Sequence, residues 1–290
     1  MAAALGTSSK CGFGSSSTVD KFLEVLSESV RLTRPILYNG GMVGSRSQPA
    51  ERTREGQRQV AGSISCTPSP VELDGLLEYI VGGSESADVF PLAETVSAFY
   101  FTADRHAKVF TYSGCKVNRA TFSASRGGFL QLDLDILGID ETVGNSGTFP
   151  AISLDVASQP YVMTDGALTV GGTTYTFDQF SITIDNQLEV QHFNSLTPTR
   201  ISATGREVSW NVVTPYGDAT AAYGTAVGGV AFVATFTNGN RSISFSSNKV
   251  QVQKESPVPG GRGEIFLSLA GVARKDGSTA ELVITSDSSG

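Results

Sequence analysis

Histidine, the side chain used most often as a general base, occurs only twice in this chain, as His106 and His192. His106 lies in a polar break between two strand-like segments, so a turn exposed to solvent is the simpler interpretation. His192 ends a segment of alternating residues, where an imidazole on a strand face is more common than a metal ligand. Neither histidine therefore predicts a catalytic site.

The sequence motifs that hold phosphates, metals or activated nucleophiles are absent. No lysine follows a glycine, which excludes a Walker A loop, and no HExxH, GxSxG or GxGxxG segment occurs. Three scattered cysteines, Cys11, Cys66 and Cys115, predict reduced thiols rather than a disulfide framework or a CxxC pair. A Ser/His/Asp triad built from distant positions stays open, because geometry and not order defines one. We therefore expect no enzyme activity, no catalytic residue, no cofactor and no metal.

Two aspartates, Asp133 and Asp135, have the spacing that opens a calcium loop, but no glutamate follows at the required later position. The apolar residues of this segment alternate with them: Leu130, Leu132, Leu134 and Ile136. Alternation with period two is typical of a strand that buries one face. The segment therefore predicts a strand whose polar face carries both aspartates.

The composition favours an all-β protein. Of 290 residues, 35 are serine, 27 threonine and 32 glycine, and only 17% are charged. No apolar run approaches the roughly 18 residues of a membrane span, so no membrane association is expected. The opening segment lacks an apolar signal core, and we expect no export through the general secretory pathway.

One helix is clearly signalled. Ser69 is followed by Pro70 and, three residues after the cap, by Glu72, which predicts a capping box and a helix over residues 70–81 ending at Gly82. Strand-like segments dominate the rest: 19–32, 96–102, 108–112, 116–123, 129–137, 264–269 and 281–285. Hairpins are predicted at 168–175, at 180–190 and, with a type I′ turn, at 237–240. We expect a mobile segment over residues 1–18 and one domain over 19–290 with a long loop at about 39–58.

The net charge of −7 argues against a protein that grips a nucleic-acid backbone along its length. Residues 21–60 depart from this balance, with seven basic and four acidic side chains. The polar faces of the predicted strands are mainly serine, threonine and aspartate, with few lysines. Because exposed strand edges are usually guarded by charge or proline, this pattern indicates a protein that pairs with copies of itself.

Three segments resemble the tail tube proteins of long-tailed bacteriophages. They are Arg58 to Ser65 leading into the predicted helix, Tyr112 to Ser125 with its following Gly-Gly turn, and Ser195 to Trp210. We take the resemblance to extend over about residues 19 to 285. These segments are signatures of a fold and of the order of its elements, and none of them corresponds to a catalytic motif.

The resemblance implies a mainly β protein, a sandwich or barrel of antiparallel hairpins with one flanking helix. It also implies hexameric rings that stack head to tail, with strands from each subunit completing a β-barrel that conducts DNA during ejection. The implied partners are further copies of the chain, the tail terminator, the tape measure and the distal tail proteins, with transient passage of DNA. The implied location is the virion tail, after synthesis in the cytoplasm of the bacterial host.

Two sets of residues follow from this interpretation. The acidic face of the lumen is expected to include Asp133, Asp135, Asp185 and Glu189, and the loop that reaches the next ring is expected to use Arg46, Arg52, Arg54 and Arg58. Other virion β-proteins, such as a head decoration or baseplate subunit, share this composition. A carbohydrate-binding β-domain is a further alternative, although the single Trp210 lies in an alternating segment typical of core packing.

Overall fold

The computed structural model of the protein describes residues 5–217, 229–253 and 256–289. In this part of the chain β-strands dominate, with a single α-helix, α1 (Pro70–Val81), and short 3-10 turns at Gly6–Ser8, Ala50–Arg52 and Met163–Asp165. The strands, in chain order, are β1 (Lys10–Gly14), β2 (Lys21–Leu23), β3 (Val25–Glu28), β4 (Arg31–Thr33), β5 (Ile36–Tyr38), β6 (Thr53–Glu55), β7 (Gln59–Cys66), β8 (Val89–Phe90), β9 (Phe99–Asp104), β10 (Lys108–Ser125), β11 (Gln131–Gly138), β12 (Asp140–Asn145), β13 (Gly166–Val170), β14 (Thr173–Tyr175), β15 (Gln179–Asp185), β16 (Leu188–Gln191), β17 (Arg200–Ala203), β18 (Glu207–Pro215), β19 (Val230–Asn238), β20 (Arg241–Val252), β21 (Phe266–Ala273) and β22 (Val283–Asp287).

The predicted helix is confirmed at both ends. The Ser69 hydroxyl accepts a hydrogen bond from the Glu72 amide at 3.3 Å, and the Glu72 carboxylate accepts one from the Ser69 amide at 2.9 Å. Gly82 closes the helix with φ of 83°, a left-handed conformation that glycine adopts without a side-chain clash. The apolar residues of one stripe are all buried: Leu73, Leu76, Leu77 and Ile80.

Replacing Ser69 by alanine should lower the free energy of unfolding by about 1 kcal/mol, because the cap of α1 is lost. Chemical denaturation would measure the change. Ser47→Ala, at an exposed position of a loop, serves as the matched control. Equal unfolding midpoints for the two variants would contradict the capping role.

Two antiparallel sheets share the long strand β10. Its first half pairs with β9 and β12, and its second half pairs with β11 and β15. The smaller sheet has the order β2–β1–β9–β10–β12. The larger sheet runs from β3 and β4 through β7, β11, β10, β15, β18, β21, β20 and β19 to β13 and β14, with β22 and then β8 joined to β20. The described strands of this sheet do not close into a barrel.

The larger sheet folds over itself into two layers, with β10, β15 and β18 facing β19 and β20. Aromatic rings from the two layers meet in the interior: Phe122 lies 4.8 Å from Phe245, and Phe180 lies 5.4 Å from Phe236 (ring centroids). The helix α1 packs against β10 and against β2, β8, β20 and β22. The fold class is therefore confirmed as a mainly β, antiparallel sandwich with one flanking helix.

The two strands predicted at 108–112 and 116–123 are a single 18-residue strand, so their separation is wrong. The register shifts between Tyr112 and Cys115, where Gly114 has φ of 59°. Such a bulge bends the strand, so β10 passes from the smaller sheet into the larger one without a turn. By contrast, the strand interpretation of residues 19–32 is confirmed by β2, β3 and β4.

The hairpin predicted at 180–190 is also wrong. β15 pairs with β10 and β18, whereas β16 pairs with β17 in a separate two-stranded sheet. The cause is Asn186, which is buried and donates hydrogen bonds to the carbonyls of Ile80 and Val117, both at 3.0 Å. The chain therefore leaves the sheet at this point instead of turning back.

The structure also changes three smaller predictions, which concern the N-terminal segment, one turn and one loop. The mobile end predicted over 1–18 is wrong for residues 10–14, which pair with β9 and β2 and bury Phe13; residues 1–4 of that segment lie outside the described residues. The turn between β19 and β20 has a positive φ at Gly239 alone, which is the pattern of a type II′ turn rather than type I′. The loop predicted at 39–58 is shorter, because β6 lies within it.

Candidate lumen and assembly surfaces

One outer surface of the larger sheet is almost entirely polar. Along β7, β11, β10, β15 and β18 the side chains alternate between the core and this surface, as the strand period requires. We define the polar face by its outward residues: Ser63, Ser65, Gln131, Asp133, Asp135, Arg119, Thr121, Ser123, Ser181, Thr183, Asp185, Glu207, Ser209 and Asn211. Most are short, so few of these side chains project far from the sheet.

Side chains of neighbouring strands bond to one another within the polar face. Arg119 lies opposite Asp135 on one side and Asp185 on the other, and it donates to the Asp185 carboxylate at 2.7 Å. Thr121 and Thr183 share a hydroxyl hydrogen bond of 3.1 Å. These hydrogen bonds pair polar side chains of the face with one another.

Three of the four acidic residues predicted for a common surface lie together. Asp133 and Asp135 point away from the buried apolar side of β11, and Asp185 lies two strands away in the same row as Asp135. The structure separates Glu189 from them, because β16 belongs to the other, two-stranded sheet. The placement of these side chains toward a lumen remains a prediction.

Sequence reasoning missed Arg119 and Glu207, which complete this row. Alternation within residues 116–123 places Arg119 and Thr121 on the outer side and could have identified Arg119; alternation within β18 could have identified Glu207. The hydrogen bond that the Arg119 guanidinium donates to Asp185 raises the pKa of that guanidinium, which therefore stays charged. Four carboxylates against one guanidinium leave the polar face acidic.

A second surface projects from the sandwich. We call residues 34–57 the arm: β5 and β6 pair as an antiparallel hairpin, with Ile36 opposite Glu55 and Tyr38 opposite Thr53. Every residue of the two strands is exposed, and so is the tip between them. The arm therefore offers both of its faces to other molecules.

Hydrogen bonds fix the base of the arm. The Arg58 amide donates to the carbonyl of Leu196 at 2.8 Å, and the Gln57 side chain donates to the carbonyl of Phe193 at 3.2 Å. The His192 ring lies 3.0 Å from the Arg58 carbonyl. The arm is thus held against the loop that joins β16 and β17.

The four arginines predicted for a contact between rings differ in their environment. Arg46, Arg52 and Arg54 are exposed on the arm and make no ion pair with the described residues. Arg58 is half-buried and pairs with Asp140 of its own chain at 3.1 Å. One nitrogen of the Arg58 guanidinium is therefore paired within the subunit, and the contact of Arg58 with another copy remains a prediction.

The cysteines and His106 are the remaining groups that could support chemistry, and they are buried or lie in a turn. Burial raises the pKa of the Cys11 and Cys115 thiols to about 12, and all three cysteines are free and buried. His106 lies in the turn between β9 and β10 with φ of 66°, and its amide donates to Asp104.

Within the described ranges, no group of three His, Cys, Asp or Glu residues is arranged to hold a metal ion. Nor does that part of the chain contain a helix long and apolar enough to cross a membrane.

The polar face of a β-sheet and a projecting arm are extended surfaces, of the kind by which structural β-sheet proteins contact large partners. The sequence model of one protein family, described as phage tail tube protein, matches residues 14–273. The chain belongs to this family, which confirms the resemblance seen in the sequence and makes it a structural protein of the phage tail. No curated protein matches the chain.

Proposed function

We propose that this protein forms homohexameric rings, and that these rings stack into a tube through which DNA passes during ejection. The polar face is the observation that carries the proposal. Its partners would be further copies of the chain, with the tail terminator, tape measure and distal tail proteins at the ends and interior of the tube. Synthesis would take place in the cytoplasm of the bacterial host.

The chemistry of the polar face suits the wall of a channel for DNA. Carboxylates such as Asp133 and Asp135 repel phosphates, and screening limits this repulsion to roughly 8 Å at physiological salt, so it acts on DNA close to the wall. Arg119, the cation of this face, is bonded to Asp185. Few side chains are therefore free to bind the DNA backbone, and DNA can slide.

The ends of the larger sheet suit ring closure. In the described part of the chain β14 (Thr173–Tyr175) is paired on one side only, with β13, and the opposite end of the sheet is formed by β3 and β4. None of these short strands carries proline. Because an open edge tends to pair with another strand, a neighbouring subunit would cover each edge in a ring.

The arm would join one ring to the next. Arg46, Arg52 and Arg54 are exposed there, and the chain as a whole is acidic, with a net charge of −7. A basic arm therefore complements the surface of another copy. Each exposed ion pair would contribute only about 0–1 kcal/mol, so apolar contacts of the arm must supply most of the affinity.

Negative-stain electron microscopy of the purified protein tests the proposal. We expect hollow tubes with a regular axial repeat, and a mass well above 30.4 kDa by light scattering. A head decoration or baseplate subunit would not form such tubes on its own. A monomer over a wide concentration range, without tubes, would overturn the proposed function.

Changing Asp133 and Asp135 to lysine should leave tube assembly possible but slow or arrest DNA during ejection, because the wall would then attract phosphates. Ejection from phage carrying the variant, and retention of duplex DNA by purified tubes, would measure the effect. Asp135→Lys should be compared with Glu189→Lys, an equal charge change outside the polar face. Equal ejection rates for those two variants would contradict the lumen assignment.

A further inference from the structure

The chain contains two Asn-Gly pairs, and the structure gives them opposite surroundings. They are Asn39-Gly40, which follows β5, and Asn238-Gly239, at the turn between β19 and β20. Such a pair is chemically special because glycine has no Cβ, so the peptide nitrogen after the asparagine can come close to the side-chain carbon Cγ. The freedom of each asparagine decides whether this approach occurs.

Asn39 is free to make the approach. Residues 39–41 are exposed and lie outside the paired residues of β5 and β6. Among the described residues, neither the Asn39 side chain nor the Gly40 amide has a hydrogen-bond partner within the protein. A Cβ on Gly41 would lie 3.6 Å from Oδ1 and 4.0 Å from Cγ of Asn39. The Asn39 side-chain amide therefore already lies along the chain that follows it.

Asn238 is held by both its backbone and its side chain. Its backbone pairs with Arg241 in the β19–β20 ladder, and its Nδ2 donates to the Gln159 carbonyl at 3.2 Å. Attack by the Gly239 nitrogen would require rotation of the Asn238 backbone and release of Nδ2 from Gln159. Because both contacts must break first, the fold slows the reaction at Asn238.

We infer that Asn39 is a site of spontaneous deamidation, which the folded chain permits there and suppresses at Asn238. The Gly40 nitrogen attacks Cγ of Asn39, the new N–Cγ bond closes a cyclic succinimide, and the Cγ–Nδ2 bond breaks. The proton of the Gly40 amide leaves with Nδ2 as ammonia. Water, the only co-reactant, then adds to one of the two ring carbonyls and opens the ring to aspartate or isoaspartate.

The product changes both the charge and the backbone of the arm. A neutral amide becomes a carboxylate within residues 34–58, which carry five arginines against two glutamates. In isoaspartate the main chain also runs through the side-chain carbon, which adds one backbone atom directly after β5. Aged protein is therefore a mixture of charge forms that differ at the arm.

Peptide mass spectrometry of the purified full-length chain, incubated at mildly alkaline pH, tests the inference. We expect the Asn39 peptide to acquire its aspartate and isoaspartate forms at least about tenfold faster than the Asn238 peptide, since two contacts must break at Asn238. Asn194 is a second internal control, because it is exposed but is followed by Ser195, which has a Cβ. In concentrated guanidinium chloride Asn39 and Asn238 should react at similar rates, because the fold no longer protects Asn238.

Gly40→Ala is the matched variant. The φ of Gly40 lies outside the left-handed region, and the nearest atom to an alanine Cβ there would be the Tyr38 hydroxyl at 3.4 Å, so the arm can accommodate the methyl group. This variant should lose most of the reaction at Asn39, together with the acidic form that anion exchange separates from aged wild-type protein.

Three results would overturn the inference. They are equal rates at Asn39 and Asn238 in the folded chain, a difference between them that persists in guanidinium chloride, and an unchanged reaction at Asn39 in Gly40→Ala. None of these measurements depends on tube formation, so the inference and the proposed function are tested separately.

Discussion

Removing the arm should abolish the stacking of rings while leaving the sandwich folded. Residues 36–55 would be replaced by Asn-Gly, which closes a two-residue turn between Pro35 and Gly56, a pair already joined by a 2.8 Å backbone hydrogen bond. The arm has no buried residue in its strands, so circular dichroism and the unfolding midpoint should change little. Electron microscopy and light scattering would then show rings or monomers in place of tubes.

The size of this effect follows from the apolar side chains that are lost. Burying one such side chain contributes about 1.5–3 kcal/mol, so loss of Ile36, Leu37 and Tyr38 from every contact should weaken stacking by several orders of magnitude. A control variant would shorten only the tip by replacing residues 41–47 with Gly-Ser-Gly, which keeps β5 and β6. Normal tubes from the variant without the arm would show that stacking uses another surface.

Trp210→Ala should lower the free energy of unfolding by about 3–5 kcal/mol, as expected for removal of a large buried aromatic side chain. Trp210 is 1% exposed, and its indole N–H donates to the Ser247 hydroxyl at 3.0 Å. Its ring lies 5.9 Å from Phe180 and 5.7 Å from Phe232, so it joins both layers of the sandwich. Chemical denaturation monitored by far-ultraviolet circular dichroism would measure the change.

Two conservative variants separate the packing of Trp210 from its hydrogen bond. Trp210→Phe keeps most of the ring but leaves the buried Ser247 hydroxyl without its donor, which should cost about 1–3 kcal/mol. Adding Ser247→Ala should recover part of that loss, because both polar groups are then gone. A loss below about 1 kcal/mol for Trp210→Ala would mean that the two layers do not depend on this contact.

Features encoded by neighbouring residues could be predicted well. The ends of α1 follow from Ser69, Glu72 and Gly82, whose hydrogen bonds and backbone conformation involve only the helix termini. The outward direction of Asp133 and Asp135 follows in the same way from alternation along one strand. The basic character of the arm is equally local, since its arginines lie within one segment of about twenty residues.

Features that depend on distant partners could not be predicted. Arg119 acquires its environment from Asp135 and Asp185, which belong to two other strands. The separation of β16 from β15 depends on Asn186, whose hydrogen-bond partners Ile80 and Val117 lie 106 and 69 positions away along the chain. The pairing of Arg58 with Asp140 depends on a distant partner in the same manner.

The amino-acid sequence by itself determined that this is a β-protein with one capped helix, a polar strand face and one segment rich in arginine. The reason is that turns, caps and alternation are set by interactions within a few residues. Only the tertiary structure decided which strands lie side by side, that β10 passes from one sheet into the other, and that the arm is an anchored hairpin exposed on both faces. Those outcomes depend on packing between segments far apart in the chain, for which local periodicity carries no information.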